Sequence, residues 1–144
     1  MSIHNGLSSL ARVLFFGSFV LIALFLTLFF GYHQTDHEFI NALAYRVSEG
    51  DFPYRDFEYV RPPLSLYLHS LTFNLFPDNA ILVSRLVYFL EMCMISFLTT
   101  RMLVAVNLLK KEHQHLWVAV FLLLSLHNFP AMPWHTVDGL LFSS

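Results

Sequence analysis

Charge is what this sequence has least of. Asp, Glu, Lys and Arg make up 12% of its 144 residues, about half of what a soluble domain of this length carries. The formal net charge of -2 comes without any basic stripe, which excludes a nucleic-acid surface. Cysteine is down to Cys93 alone, so no disulfide framework exists, and that residue reads as a small hydrophobe inside an apolar run. The sequence also lacks a Gly-rich phosphate loop, a serine-nucleophile motif, a cysteine cluster, a repeat and a low-complexity tract. What fills the space is hydrophobic: 56% of residues, 16 of them Phe, with a mean hydropathy of +0.58. The expected fold class is all-α, a polytopic transmembrane helix bundle in which lipid is part of the solvent.

The chain from Val13 to Gly31 has no charged residue and matches the ~20 residues a helix needs to cross the hydrocarbon core. It is too long for the apolar region of a signal peptide, and no small-x-small cleavage site follows it. Further spans are expected at about 81–109 and 115–130, with the first at about 12–31 and the start of a fourth at 139. Arg12, Arg101, Lys110 and Lys111 put the N-terminus and the end of the second span in the cytoplasm. Residues 32–80 then form a large outer loop. Trp117 and Trp134 flank the third run as interface anchors. Trp134 to Gly139 reads as a loop, and the sequence stops soon after a fourth apolar run opens, as part of a longer protein would.

The polar chemistry is concentrated in the outer loop. Of the 10 acidic residues, Asp36, Glu38, Glu49, Asp51, Asp56 and Glu58 lie between Thr35 and Phe76, with Arg46, Arg55 and Arg61. Thr35 and Glu38 have capping-box spacing, and Phe39, Ala42, Leu43 and Val47 recur at helical spacing. Gly50 is placed to end that helix in a left-handed conformation. Asp51 to Tyr59 reads as a loop with a Pro-containing turn. Pro62 and Pro63 suit the first turn of a second helix running to Phe76, stopped by Pro77-Asp78-Asn79. That helix is short for a span and is expected to lie along the interface.

Each polar group has two readings. Asp36 is a base or metal ligand at the membrane surface, or with Glu38 it complements the helix dipole. Arg55 and Arg61 bind a phosphate, or form local ion pairs with Asp56 and Glu58. His33, Asp36 and His37 offer metal-ligand spacing, but the zinc-protease pattern starting at His37 ends in Asn41, which removes its second imidazole. Glu91, in the second span, pairs with Arg85 or a polar neighbour, or lines a path.

Taken in order, Asp36, Gly50, Pro53-Tyr54-Arg55-Asp56-Phe57 and Arg61-Pro62-Pro63-Leu64 resemble the first outer loop of the C-fold class of integral-membrane glycosyltransferases. That class includes protein O-mannosyltransferases and aminoarabinose transferases. The resemblance covers residues 12 to 109. It implies a plasma membrane of the bacterial inner-membrane type and transfer of a sugar from a polyprenyl-phosphate donor to an acceptor on the outer face, with membrane lipid as the other partner. It implies Asp36 as catalytic base or divalent-metal ligand, Arg61 as the lipid-phosphate contact and Arg55 as its assistant. Relatives commonly carry Asp-Glu where this chain has Asp36-His37, with Glu38 one place later as a candidate substrate contact. A non-enzymatic membrane scaffold and a transporter fragment with Glu91 in an ion path are the rival functions.

Overall fold

The computed structural model describes residues 3–30, 37–128 and 135–143. Among them are six α-helices and no strand beyond an isolated bridge between Pro53 and Phe57. The all-α expectation is met. In chain order the helices are α1 (Ile3–Phe29), α2 (His37–Ser48), α3 (Leu64–Leu75), α4 (Ala80–Ala105), α5 (Gln114–Asn128) and α6 (His135–Ser143).

Helix ends follow local chemistry. Gly50 ends α2 at φ +99°, a region that costs glycine little. Its N–H donates to the Val47 carbonyl at 3.1 Å and the Asp51 N–H to the Arg46 carbonyl at 3.0 Å. This paired closure is the Schellman motif, as the sequence predicts. The same motif ends α4 earlier than expected. Asn107 takes φ +60°, and the Leu108 N–H donates to Leu103 at 2.9 Å while Asn107 donates to Val104 at 3.1 Å. The apolar run continues to Leu109 but the helix stops at Ala105, because asparagine tolerates the left-handed region that closes the turn. A second correction concerns residues 135–139, expected as loop, which belong to α6. The Asp-Gly pair there signals a turn only where water solvates the backbone, and Asp138 is instead buried.

α4 is the central helix, in contact with α1, α3, α5 and α6. Tyr88, Phe89 and Met92 of α4 meet Ala23 of α1, Leu122 of α5 and Val137 of α6 in one buried cluster. A second, smaller cluster joins Ile40 of α2, Tyr59 of the loop between the helices and Leu66 of α3, flanked by Leu43, Val47 and Phe57. The segment from α2 to α3 is thus folded on an apolar seam of its own.

The polarity of the helices runs inside out. On α4 the buried positions include Ser84, Arg85, Glu91, Ser96 and Thr100, while Ile81, Leu86, Leu90, Met94 and Phe97 are exposed. Ala80, Ser84, Tyr88, Met92, Ser96 and Thr100 fall on an every-fourth-residue ridge, two small side chains on either side of two large ones. That ridge lets neighbouring helices approach closely. α3 repeats the pattern, burying Ser65, His69, Ser70 and Thr72 and exposing Leu64, Tyr67, Leu71 and Leu75. α1 buries Ala23 and Thr27 and exposes Leu21, Ile22, Phe25, Leu26 and Phe29. Among the described residues one helix, Pro77–Ala105 with its leading 3₁₀ turn, is long and apolar enough to cross a membrane; Val13–Phe29 is apolar but shorter.

Candidate functional site

The loop positions its charges through a tight turn after α2. Tyr54 adopts φ +69°, and its N–H donates to the Phe57 carbonyl at 3.0 Å. Its hydroxyl donates to the Arg61 carbonyl, tying the turn to the segment that enters α3. Arg46 reaches back from α2 to Asp51 at 2.7 Å and donates to the Asp56 carbonyl at 3.1 Å. Its guanidinium also lies over the Phe57 ring, 4.6 Å from the centroid.

Arg55 is committed locally. Its Nη2 sits 2.6 Å from Asp56 Oδ2, its Nε 3.0 Å from Oδ1, and its guanidinium stacks on Phe52 at 4.3 Å. The Phe52 N–H donates to the same carboxylate at 2.7 Å. Hydrogen bonding from Arg55, and then from Phe52, lowers the Asp56 carboxyl from 3.8 to about 2. A depressed carboxyl stabilises the fold in full above its ordinary value and loses that contribution as pH falls from 3.8 through about 2. A carbon-13 NMR titration of Asp56 is therefore expected to give a midpoint near 2, and Arg55→Ala to move it upward. An ordinary carboxyl midpoint in the unmodified protein would refute the pairing.

Arg61 is placed differently. With Phe39, Glu58, Tyr59 and Val60 it lines a cavity of about 270 Å³. Phe39 belongs to the first turn of α2, so this cavity adjoins the start of the helix that Asp36 precedes in sequence. Tyr59 is buried with no partner for its hydroxyl among the described residues, and burial raises that phenol above its ordinary value. Asp36 and His33, and the side chains of His37 and Glu38, lie outside the described residues. The two arginines differ in place: Arg55 closes an ion pair with Asp56, and Arg61 lines the cavity.

A second constellation escaped the sequence reading. His69 of α3, Glu91 of α4 and Asp138 of α6 converge in the interior, with ligand-capable atoms within 4.8 Å of one another. His69 is 0% exposed, Asp138 2% and Glu91 5%. The Ser65 hydroxyl donates to Asp138 Oδ2, while His69 Nε2 stands 3.5 Å from Asp138 Oδ1, beyond hydrogen-bonding reach for a ring N–H. Both ring nitrogens of His69, Glu91 Oε2 and Asp138 Oδ1 have no hydrogen-bond partner among the described residues. Glu91 therefore faces His69 and Asp138, whereas Arg85, the partner proposed first from sequence, donates to the Phe30 carbonyl. Nearby, the Thr72 and Ser84 hydroxyls are hydrogen bonded at 2.8 Å, fixing α3 against α4.

No family model, curated protein or solved structure matches this chain.

Proposed function

We propose that this chain is part of a polytopic, inverting-type membrane glycosyltransferase that moves a sugar from a polyprenyl-phosphate donor to an acceptor on the outer membrane face. The polarity of α1, α3 and α4 supports the membrane half of this reading, since large apolar side chains line the outside while Thr27, His69, Glu91 and Thr100 are buried beside the apolar cluster. The observation that carries the catalytic half is the cavity bordered by Arg61 and Glu58 beside the first turn of α2, next in sequence to Asp36.

Asp36 takes the proton of the acceptor hydroxyl as its oxygen attacks the anomeric carbon. The bond from that carbon to the phosphate oxygen breaks, and the polyprenyl phosphate leaves with the electron pair. Arg61 binds that phosphate, its planar guanidinium matching two phosphate oxygens. Arg55 contributes less, because Asp56 already occupies its guanidinium. Lipid-linked donor enters from the bilayer and the acceptor from the aqueous side.

The test is transfer of labelled sugar from polyprenyl phosphate in membranes carrying the full reading frame. Asp36→Asn is expected to lower turnover by about 10²–10⁴-fold at unchanged expression. Arg61→Ala is expected to raise the donor KM, with Arg55→Ala close to wild type. Equal turnover of wild type and Asp36→Asn would remove Asp36 from the chemistry and the reading with it.

A further inference from the structure

We propose that His69, Glu91 and Asp138 form a buried site for a divalent cation of the zinc class, which joins α3, α4 and α6 independently of any glycosyl transfer at the outer loop. Three features lead there. The first is composition: one imidazole and two carboxylates are a ligand set that Zn²⁺ accepts, and its two positive charges balance the two carboxylates in a region buried from solvent. The second is spacing. Two ligands of a tetrahedral ion with arms of ~2.1 Å stand about 3.4 Å apart. His69 Nε2 and Asp138 Oδ1 are separated by 3.5 Å, too far for a hydrogen bond and right for sharing an ion. Glu91, within the 4.8 Å that spans the group, closes on the same point by side-chain rotation.

The third feature is the set of polar atoms left over. His69 Nε2, Asp138 Oδ1 and Glu91 Oε2 are buried without hydrogen-bond partners, a costly arrangement that ligation would relieve. Asp138 Oδ2, by contrast, accepts from Ser65. One carboxylate oxygen is thus held by a hydroxyl and the other is left for the ion, the usual way an outer shell orients a ligand. The three ligands come from three helices, so the ion closes the bundle where α6 meets α3 and α4.

The experiment uses the full chain in detergent, with Zn²⁺ as probe and a chromophoric chelator as competitor. The wild-type protein is expected to retain stoichiometric Zn²⁺ through dialysis, to show a higher thermal midpoint with Zn²⁺ than after chelation, and to give d–d absorption with Co²⁺ in its place. His69→Gln and Asp138→Asn are each expected to weaken Zn²⁺ binding by about tenfold or more. His113→Gln, at an exposed histidine beside Glu112, is expected to leave it unchanged. The wild-type measurements stand even where a ligand variant fails to fold. No retained Zn²⁺ and no shift of the wild-type midpoint would overturn the site, leaving a shared proton to settle the carboxylates. So would loss of binding in His113→Gln, or full binding in a folded His69→Gln.

Discussion

Asp138→Ala is expected to destabilise the helix bundle by about 1–3 kcal/mol, the cost of a buried polar group stripped of its partner. One such group remains after the substitution: the Ser65 hydroxyl, which donates to Asp138 Oδ2. It has no access to water, because Ser65 is 3% exposed. One term opposes the loss. Removing a carboxylate relieves its repulsion with Glu91, and that relief is smaller wherever a cation or proton already stands between them. Asp138→Asn separates the terms, since the amide oxygen still accepts from Ser65 while the charge is gone. The expected order of stability is wild type, then Asn, then Ala, read from reversible unfolding in mixed micelles. An Ala variant as stable as wild type would mean that the Ser65 contact and the convergence on His69 do not hold α6 in place.

Most of the helical layout was legible in the sequence because apolar runs and their stops are local signals. Gly50 ends α2 where the sequence puts it, and Pro62-Pro63 leads into α3. Asn107 was missed, since an asparagine inside an apolar run ends a helix only when its backbone turns left-handed, and nothing in hydropathy records that choice. α6 was missed for a different reason: Asp138-Gly139 resembles a solvated turn until a buried partner for the aspartate exists. That partner, Ser65, lies 73 residues away. The same distance hid the cluster. His69 sits among apolar neighbours with no ligand spacing of its own, and only the packing of α3, α4 and α6 brings it to Glu91 and Asp138. The pair of arginines was legible as chemistry but not as geometry. Spacing alone offers Arg55 and Arg61 equally and the resemblance ranks Arg61 first, while in the fold Arg55 pairs with Asp56 and Arg61 lines the cavity.

Tyr88→Ala is expected to cost about 3–5 kcal/mol if the bundle is held by expulsion of water, the range for deleting a buried aromatic side chain. Tyr88 is 0% exposed, the largest fully buried side chain among the described residues, and touches the cluster contributed by α1, α5 and α6. In a membrane the transfer part of that cost falls away, because lipid tails are as apolar as the helix interior. The cavity part persists, and the expected loss drops to about 2–3 kcal/mol. The neighbouring Leu90, 57% exposed, supplies the comparison that decides which solvent surrounds α4. Leu90→Ala is expected within about 0.5 kcal/mol of wild type in either case. Leu90→Ser separates them: in water an exposed serine is neutral, whereas on a lipid-facing helix it replaces apolar surface with a hydroxyl in hydrocarbon and lowers stability. A destabilised Leu90→Ser beside a tolerated Leu90→Ala would mark the outward face of α4 as lipid-facing. Two neutral variants would place that face in water and remove the membrane from the account.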